Sequence, residues 1–134
     1  MNNGYFAIEL DKQCQKLVGK YANMSEIVSD HVTLAYKPNN RKYNKLKKLI
    51  GQSVAVFFKE YRANDNIDAL WVDEMFLLDS DKKIKRADPG AAHITLSLKK
   101  GFKPGDANSM FKKPTIKKKL LGLVEGKINY IRYN

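Results

Sequence analysis

The chain contains two histidines, and each is followed two places later by one of its three threonines: His31 by Thr33, and His93 by Thr95. The segments His31-Val-Thr33-Leu34 and His93-Ile-Thr95-Leu96 share one form: histidine, β-branched residue, threonine, leucine. A lone histidine is more often structural than chemical, but a matched pair in the same four-residue setting is poorly explained that way. Two imidazoles and two hydroxyls are the groups that metal-free phosphodiester cleavage needs. A neutral ring takes the proton of the attacking oxygen and an imidazolium protonates the leaving oxygen, and an ordinary pKa near 6.5 makes both forms available at neutral pH. Threonine hydroxyls can hydrogen-bond the nonbridging phosphate oxygens and hold the phosphorus in line. Two histidines with no supporting carboxylate cluster fall short of the three protein ligands of a catalytic zinc site, so no metal and no cofactor is expected.

The elements that must carry these residues follow from periodicity. Asp30 to Tyr36 and Ala92 to Leu98 alternate as strands do, which sets His31 and Thr33, and likewise His93 and Thr95, on one face, with Val32, Leu34, Ile94 and Leu96 on the other. Tyr5 to Leu10 reads as an opening strand and Lys12 to Tyr21 as a short amphipathic helix with Cys14 packed on its apolar side. Arg41 to Ile50 is a helix capped near Asn39 or Asn40 and ended by Gly51. Ser53 to Tyr61 and Ile67 to Leu78, joined by the turn-prone 62–66, form a hairpin with Trp71 in the core. Ser80 to Arg86 is a polar turn and Gly101 to Asn108 a loop. Ile116, Leu120 and Leu121 fit a short helix closed by Gly122, and Leu123 to Ile131 is a closing strand. Interspersed helices and hairpin-length connections predict an α+β fold rather than a doubly wound parallel sheet. Tyr36-Lys37-Pro38 after the first motif is echoed by Phe102-Lys103-Pro104 after the second, which points to a duplicated unit whose copies face each other across a groove.

At 134 residues, 43% hydrophobic and 29% charged, the chain is expected to be one globular domain over 1–134. With one cysteine it can form no internal disulfide, and no apolar run reaches the roughly 20 residues of a membrane span. The start Met1-Asn-Asn-Gly lacks a signal peptide's basic and apolar regions, so a cytoplasmic, monomeric protein without membrane or obligate protein partner is expected. Twenty-five basic against 14 acidic residues leave a net charge of +11, which attracts polyanions, nucleic acid or nucleotide phosphates foremost. A lysine-rich solubilising surface would have the same composition.

With the motifs and their strands in place, the chain resembles the two-histidine (2H) phosphoesterase superfamily, which includes the LigT-like RNA cyclic phosphodiesterases. The likeness runs from the Tyr5 strand to the closing strand. Ala92-His-Ile-Thr-Leu-Ser-Leu98 and the loop Gly101-Phe-Lys-Pro-Gly-Asp-Ala-Asn108 are most similar to the cyclic phosphodiesterase module of fungal-type tRNA ligases and their viral relatives. The resemblance implies a bilobal α+β fold, with two pseudo-symmetric antiparallel sheet lobes, flanking helices and a central cleft. It also implies catalytic roles for His31, Thr33, His93 and Thr95. The substrates it implies are 2′,3′-cyclic phosphate RNA ends, 2′–5′ oligoadenylate, or cyclic dinucleotide immune signals. For a viral chain the compartment would be the host cytoplasm.

Tyr5, Tyr36, Lys37 and Lys103 are candidate substrate-binding residues, the tyrosines for stacking on a base and the lysines for meeting a phosphate. Lys112, Lys113 and Lys117 to Lys119 read as a solvated helix face, with contact to an RNA backbone as the other reading. The alternative to an enzyme is a noncatalytic RNA or nucleotide-binding module using the same basic cleft. Two histidines and two threonines discriminate against it, because lysine or arginine serves simple phosphate binding as well.

Overall fold

A computed structural model describes residues 3–103, 106–107 and 114–132. In chain order the elements are β1 (Gly4–Leu10), α1 (Lys12–Gly19), β2 (Glu26–Ile27), β3 (His31–Tyr36), α2 (Asn40–Leu46), a 3-10 turn (Lys47–Leu49), β4 (Ser53–Ala63), β5 (Ile67–Leu77), β6 (Lys83–Ile84), β7 (His93–Leu98) and β8 (Ile116–Arg132). All pairings are antiparallel. The strands run β7-β3-β1-β8-β4-β5, and β5 pairs again with β7, so six strands close a ring with β2 and β6 added at its edges. The fold is α+β, dominated by antiparallel sheet. Where two sheet lobes were expected, the described strands form one hydrogen-bonded ring. No described helix is long and apolar enough to cross a membrane.

Alternation builds the core. Phe6, Ile8 and Leu10 of β1, Val32 and Leu34 of β3, Val54, Val56 and Phe58 of β4, and Ile94 and Leu96 of β7 join one buried cluster, to which α1 adds Val18 and α2 adds Leu46. Asn39 caps α2 by accepting from the Lys42 N–H at 2.9 Å, and the chain turns away at Gly51, whose φ of +89° suits glycine. Cys14 packs against the same cluster.

Two expectations need correction. The predicted helix near Ile116 to Leu121 is the first part of β8, a 17-residue strand, because Lys117, Lys118 and Lys119 pair along β4 with Arg62, Tyr61 and Glu60. Gly122 does not end a helix there. Its missing side chain admits the Phe58 ring, which would lie 2.2 Å from a β-carbon at that position. The second correction is Trp71. It is only half-buried, and the Arg62 guanidinium lies over its ring at 3.4 Å. Lys112 and Lys113 lie outside the described residues.

The end of β7 is tied down by a buried carboxylate that sequence patterning did not reveal. Asp68 accepts from the Tyr61 hydroxyl at 2.8 Å, the Asn23 N–H at 2.8 Å and the Ser97 hydroxyl at 2.5 Å. Ser97 in turn accepts from the Met24 N–H. Burial, with Asp68 opposite, pushes the Tyr61 hydroxyl up to about 12, so it remains a donor at any ordinary pH. These bonds fasten the loop that leads into β2 and β3 onto β5 and β7. Asp68→Ala should therefore cost about 2–4 kcal/mol by leaving two buried hydroxyls and the part-buried Asn23 N–H without this acceptor, read as a lowered urea midpoint at unchanged m-value.

Candidate active site

Beyond β2, the chain follows the edge of β7, where Val28 and Ser29 donate to the Leu96 and Thr95 carbonyls at 2.8 and 2.9 Å. It then shifts register. Ser29 takes a left-handed φ of +51°, β3 begins at His31, and pairing with β7 resumes at Val32 with Ile94. These two residues follow the two histidines directly. Since paired residues share a face, His31, Thr33, His93 and Thr95 all project to the side opposite the core. One further step of the pairing sets Thr33 across from His93, with His31 diagonal to it. Such diagonal neighbours lie about 7–8 Å apart, their β-carbons somewhat closer, a span across which two imidazoles can meet different oxygens of one phosphate.

Each ring is anchored through the same atom. His93 Nδ1 lies 2.9 Å from the Ala91 carbonyl, which can only accept, so Nδ1 carries the proton and the lone pair of the neutral ring is on Nε2. His31 Nδ1 faces the Asp30 carboxylate at 2.7 Å, so its Nδ1 is also the donor. The environments differ otherwise. Burial, helped by Arg86 and His31 and opposed by the bond to Ala91, pushes the His93 ring down to about 4, which keeps it neutral at physiological pH. His31 is less enclosed, with 18% of its side chain exposed beside the Asp30 carboxylate.

Tyr5 stands beside His31, and Tyr36 stands beside Tyr5. The Tyr5 ring centroid is 5.7 Å from that of His31 and 6.4 Å from that of Tyr36. Burial first, then the charges of Asp30 and Glu9, push the Tyr5 hydroxyl up. Lys37 has φ +45° and its ammonium lies 5.7 Å from the centre of the Tyr36 ring, which leaves this pair exposed at the edge of the site. Lys103 is exposed, and its N–H donates to Asp106 within its own loop, so no contact described here brings it to the histidines.

Two residues near His93 were not singled out in the sequence. Arg86, read there as part of a polar turn, donates from Nη1 to the Ala91 carbonyl at 3.2 Å, the oxygen that also holds His93. Burial pushes its guanidinium down while Asp88 opposes the change. Trp71, read as core, pairs directly with His93. Neither carried a signal, because both depend on contacts distant in sequence. Among the described residues, no three histidine, cysteine or acidic side chains come together as a metal-binding group.

Comparison with known proteins matched no family model and no curated protein. Among solved structures, the chain is similar to a fungal RNA kinase, with a TM-score of 0.60 at 13% identity over 100% of this chain. The chain spans 46% of that protein's length. At this identity the likeness is one of fold.

The His93 environment has a measurable consequence for stability. The unfolded chain takes up a proton on this ring near pH 6.5 and the folded chain only near 4, so stability present above pH 6.5 is lost as pH falls toward 4. The loss from this ring is about 3 kcal/mol at full extent. His93→Gln should flatten the corresponding part of a stability profile measured by urea unfolding between pH 7 and 4.

Proposed function

We propose that the protein is a metal-independent phosphodiesterase acting on 2′-type diesters, and that His31, Thr33, His93 and Thr95 do the chemistry. The observation that carries this reading is the Val32–Ile94 pairing, which sets two Nδ1-anchored imidazoles and two threonines on one face. His93, neutral with its lone pair on Nε2, is the base that takes a proton from water or from a vicinal hydroxyl. His31, backed by Asp30, delivers a proton from Nε2 to the leaving oxygen. Thr33 and Thr95 hydrogen-bond the nonbridging oxygens.

Two imidazoles supply proton transfer and modest charge stabilisation. That is enough for a strained 2′,3′-cyclic phosphate, or for a 2′–5′ linkage whose neighbouring 3′-hydroxyl attacks internally. An unactivated DNA diester has neither advantage. The fold shared with a fungal RNA kinase agrees with an RNA-directed enzyme, and the resemblance of the motifs to two-histidine phosphoesterases supports the reaction type. The two-lobed reading belongs to the same proposal. The order of strands in the ring is unchanged when β3 exchanges with β7, β1 with β5 and β8 with β4, as a duplicated unit would require.

His31→Ala and His93→Ala should each lower kcat on a 2′,3′-cyclic phosphate RNA end by about a hundredfold or more with folding intact, and the threonine-to-alanine changes should cost less. Excess EDTA should leave the wild-type rate unchanged, and single-stranded DNA should be inert. Activity lost in EDTA and restored by a divalent cation, or a threonine change worse than both histidine changes, would contradict the scheme. The essential base in the kcat/KM profile should titrate well below 6.5, in line with the buried His93 ring.

A further inference from the structure

A groove of about 670 Å³ lies between α2 and the Lys82–Ala87 segment, within the usual ~300–1,000 Å³ range of ligand clefts. Leu46, Leu49, Leu77 and Ile84 give it apolar surface, and no carboxylate is among its lining residues. One wall carries Arg41 and Lys45, the other Lys82, Lys83 and Lys85. Two structural links tie it to the catalytic residues. Arg86 lines the groove and shares the Ala91 carbonyl with His93. Lys42, on the α2 side, meets Asp88 at 3.2 Å, and the other oxygen of Asp88 accepts from the N–H of Tyr36, which stands beside Tyr5, itself beside His31.

We propose that this groove holds the sugar–phosphate chain of single-stranded RNA leading to a 3′ end seated at His31 and His93. The placement of that end rests on the function proposed above. A 2′,3′-cyclic phosphate is terminal by its chemistry, so every other nucleotide leaves the site in one direction. Arg86, which lines the groove, shares the Ala91 carbonyl with His93 and so ties the groove to the site. Apolar surface beneath paired cationic walls matches a strand whose phosphates meet lysine and arginine while its sugars and base edges pass over the leucine and isoleucine side chains. An acidic peptide would meet the charge but would have no use for a path ending at two histidines.

The test is binding of a 5′-labelled RNA of about ten nucleotides with a 3′-monophosphate, followed by fluorescence anisotropy across a salt series. Arg41→Glu with Lys45→Glu should weaken binding about tenfold or more and lower the salt slope by about 1.4, the share of two phosphate contacts on a single strand. Lys82→Glu with Lys83→Glu, on the opposite wall, should reproduce the loss. Lys12→Glu with Lys16→Glu on α1 makes the same change in net charge away from the groove and should cost less than about threefold. Equal losses in all three pairs, no loss in the groove pairs, or displacement of RNA by an acidic decapeptide at lower concentration than by unlabelled RNA would overturn the proposal. Binding is read without turnover. A wild-type protein that hydrolyses no 2′-type diester, yet loses RNA only through the groove changes, would defeat the catalytic reading while supporting the groove.

Discussion

The pairing of Val32 with Ile94 closes the ring of strands at its narrowest seam. On one side of it β3 pairs along β1 with one register shift at Phe6/Ala7, and on the other β7 pairs along β5 with one at Asp68/Ala69, so this seam joins the two halves of the sheet. The same pairing turns both His-x-Thr motifs to one face, because a paired residue and its partner share a side of the sheet. A slip of one residue would send one motif into the core. Two features hold the register. The valine, leucine and isoleucine residues interleaved with the motifs are buried in a common cluster, and Ser29 turns the chain through a left-handed conformation from the β7 edge to β1. The Asp68 network then fixes the approach to that turn from the far end of β7.

From this geometry the two histidines, equivalent in sequence, become different in chemistry. A backbone carbonyl offers His93 an acceptor without charge, burial disfavours its imidazolium, and Arg86 adds a like charge nearby. His31 faces a carboxylate and more solvent. The two rings therefore sit in unlike environments, which is what the proposed division into base and acid draws on. Arg86 links this asymmetry to the basic groove, so one guanidinium adjoins both the proposed chemistry and the proposed path of the RNA chain.

The strands bearing the motifs, the opening strand, the hairpin and the Asn39-capped helix were legible because each is a local pattern with a period of 2 or 3.6 and a turn signal at its end. The first part of β8 was not. Its lysines alternate with nothing apolar, and only the partner strand β4, with Glu60 and Arg62 opposite, explains why they are extended. The ring was illegible for a related reason: closure depends on one pairing between strands 62 residues apart, which periodicity within either strand does not encode. Asp68, Arg86 and Trp71 act through residues distant in sequence, so their polarity or bulk read as ordinary turn or core. The residues that the motifs named are the ones brought together at the seam. Lys103, placed only by analogy between the halves, has a backbone bond to Asp106 in its own loop.

The central claim is that this pair of histidines directs water onto a 2′-type phosphate. It is tested most directly by hydrolysing a 2′,3′-cyclic phosphate RNA end in ¹⁸O-labelled water with excess EDTA and weighing the product. The account predicts one ¹⁸O in the phosphate monoester formed by the wild-type protein and product formed slower by about a hundredfold or more with either histidine-to-alanine variant. Unlabelled product, or labelled product formed equally well without His93, would contradict it.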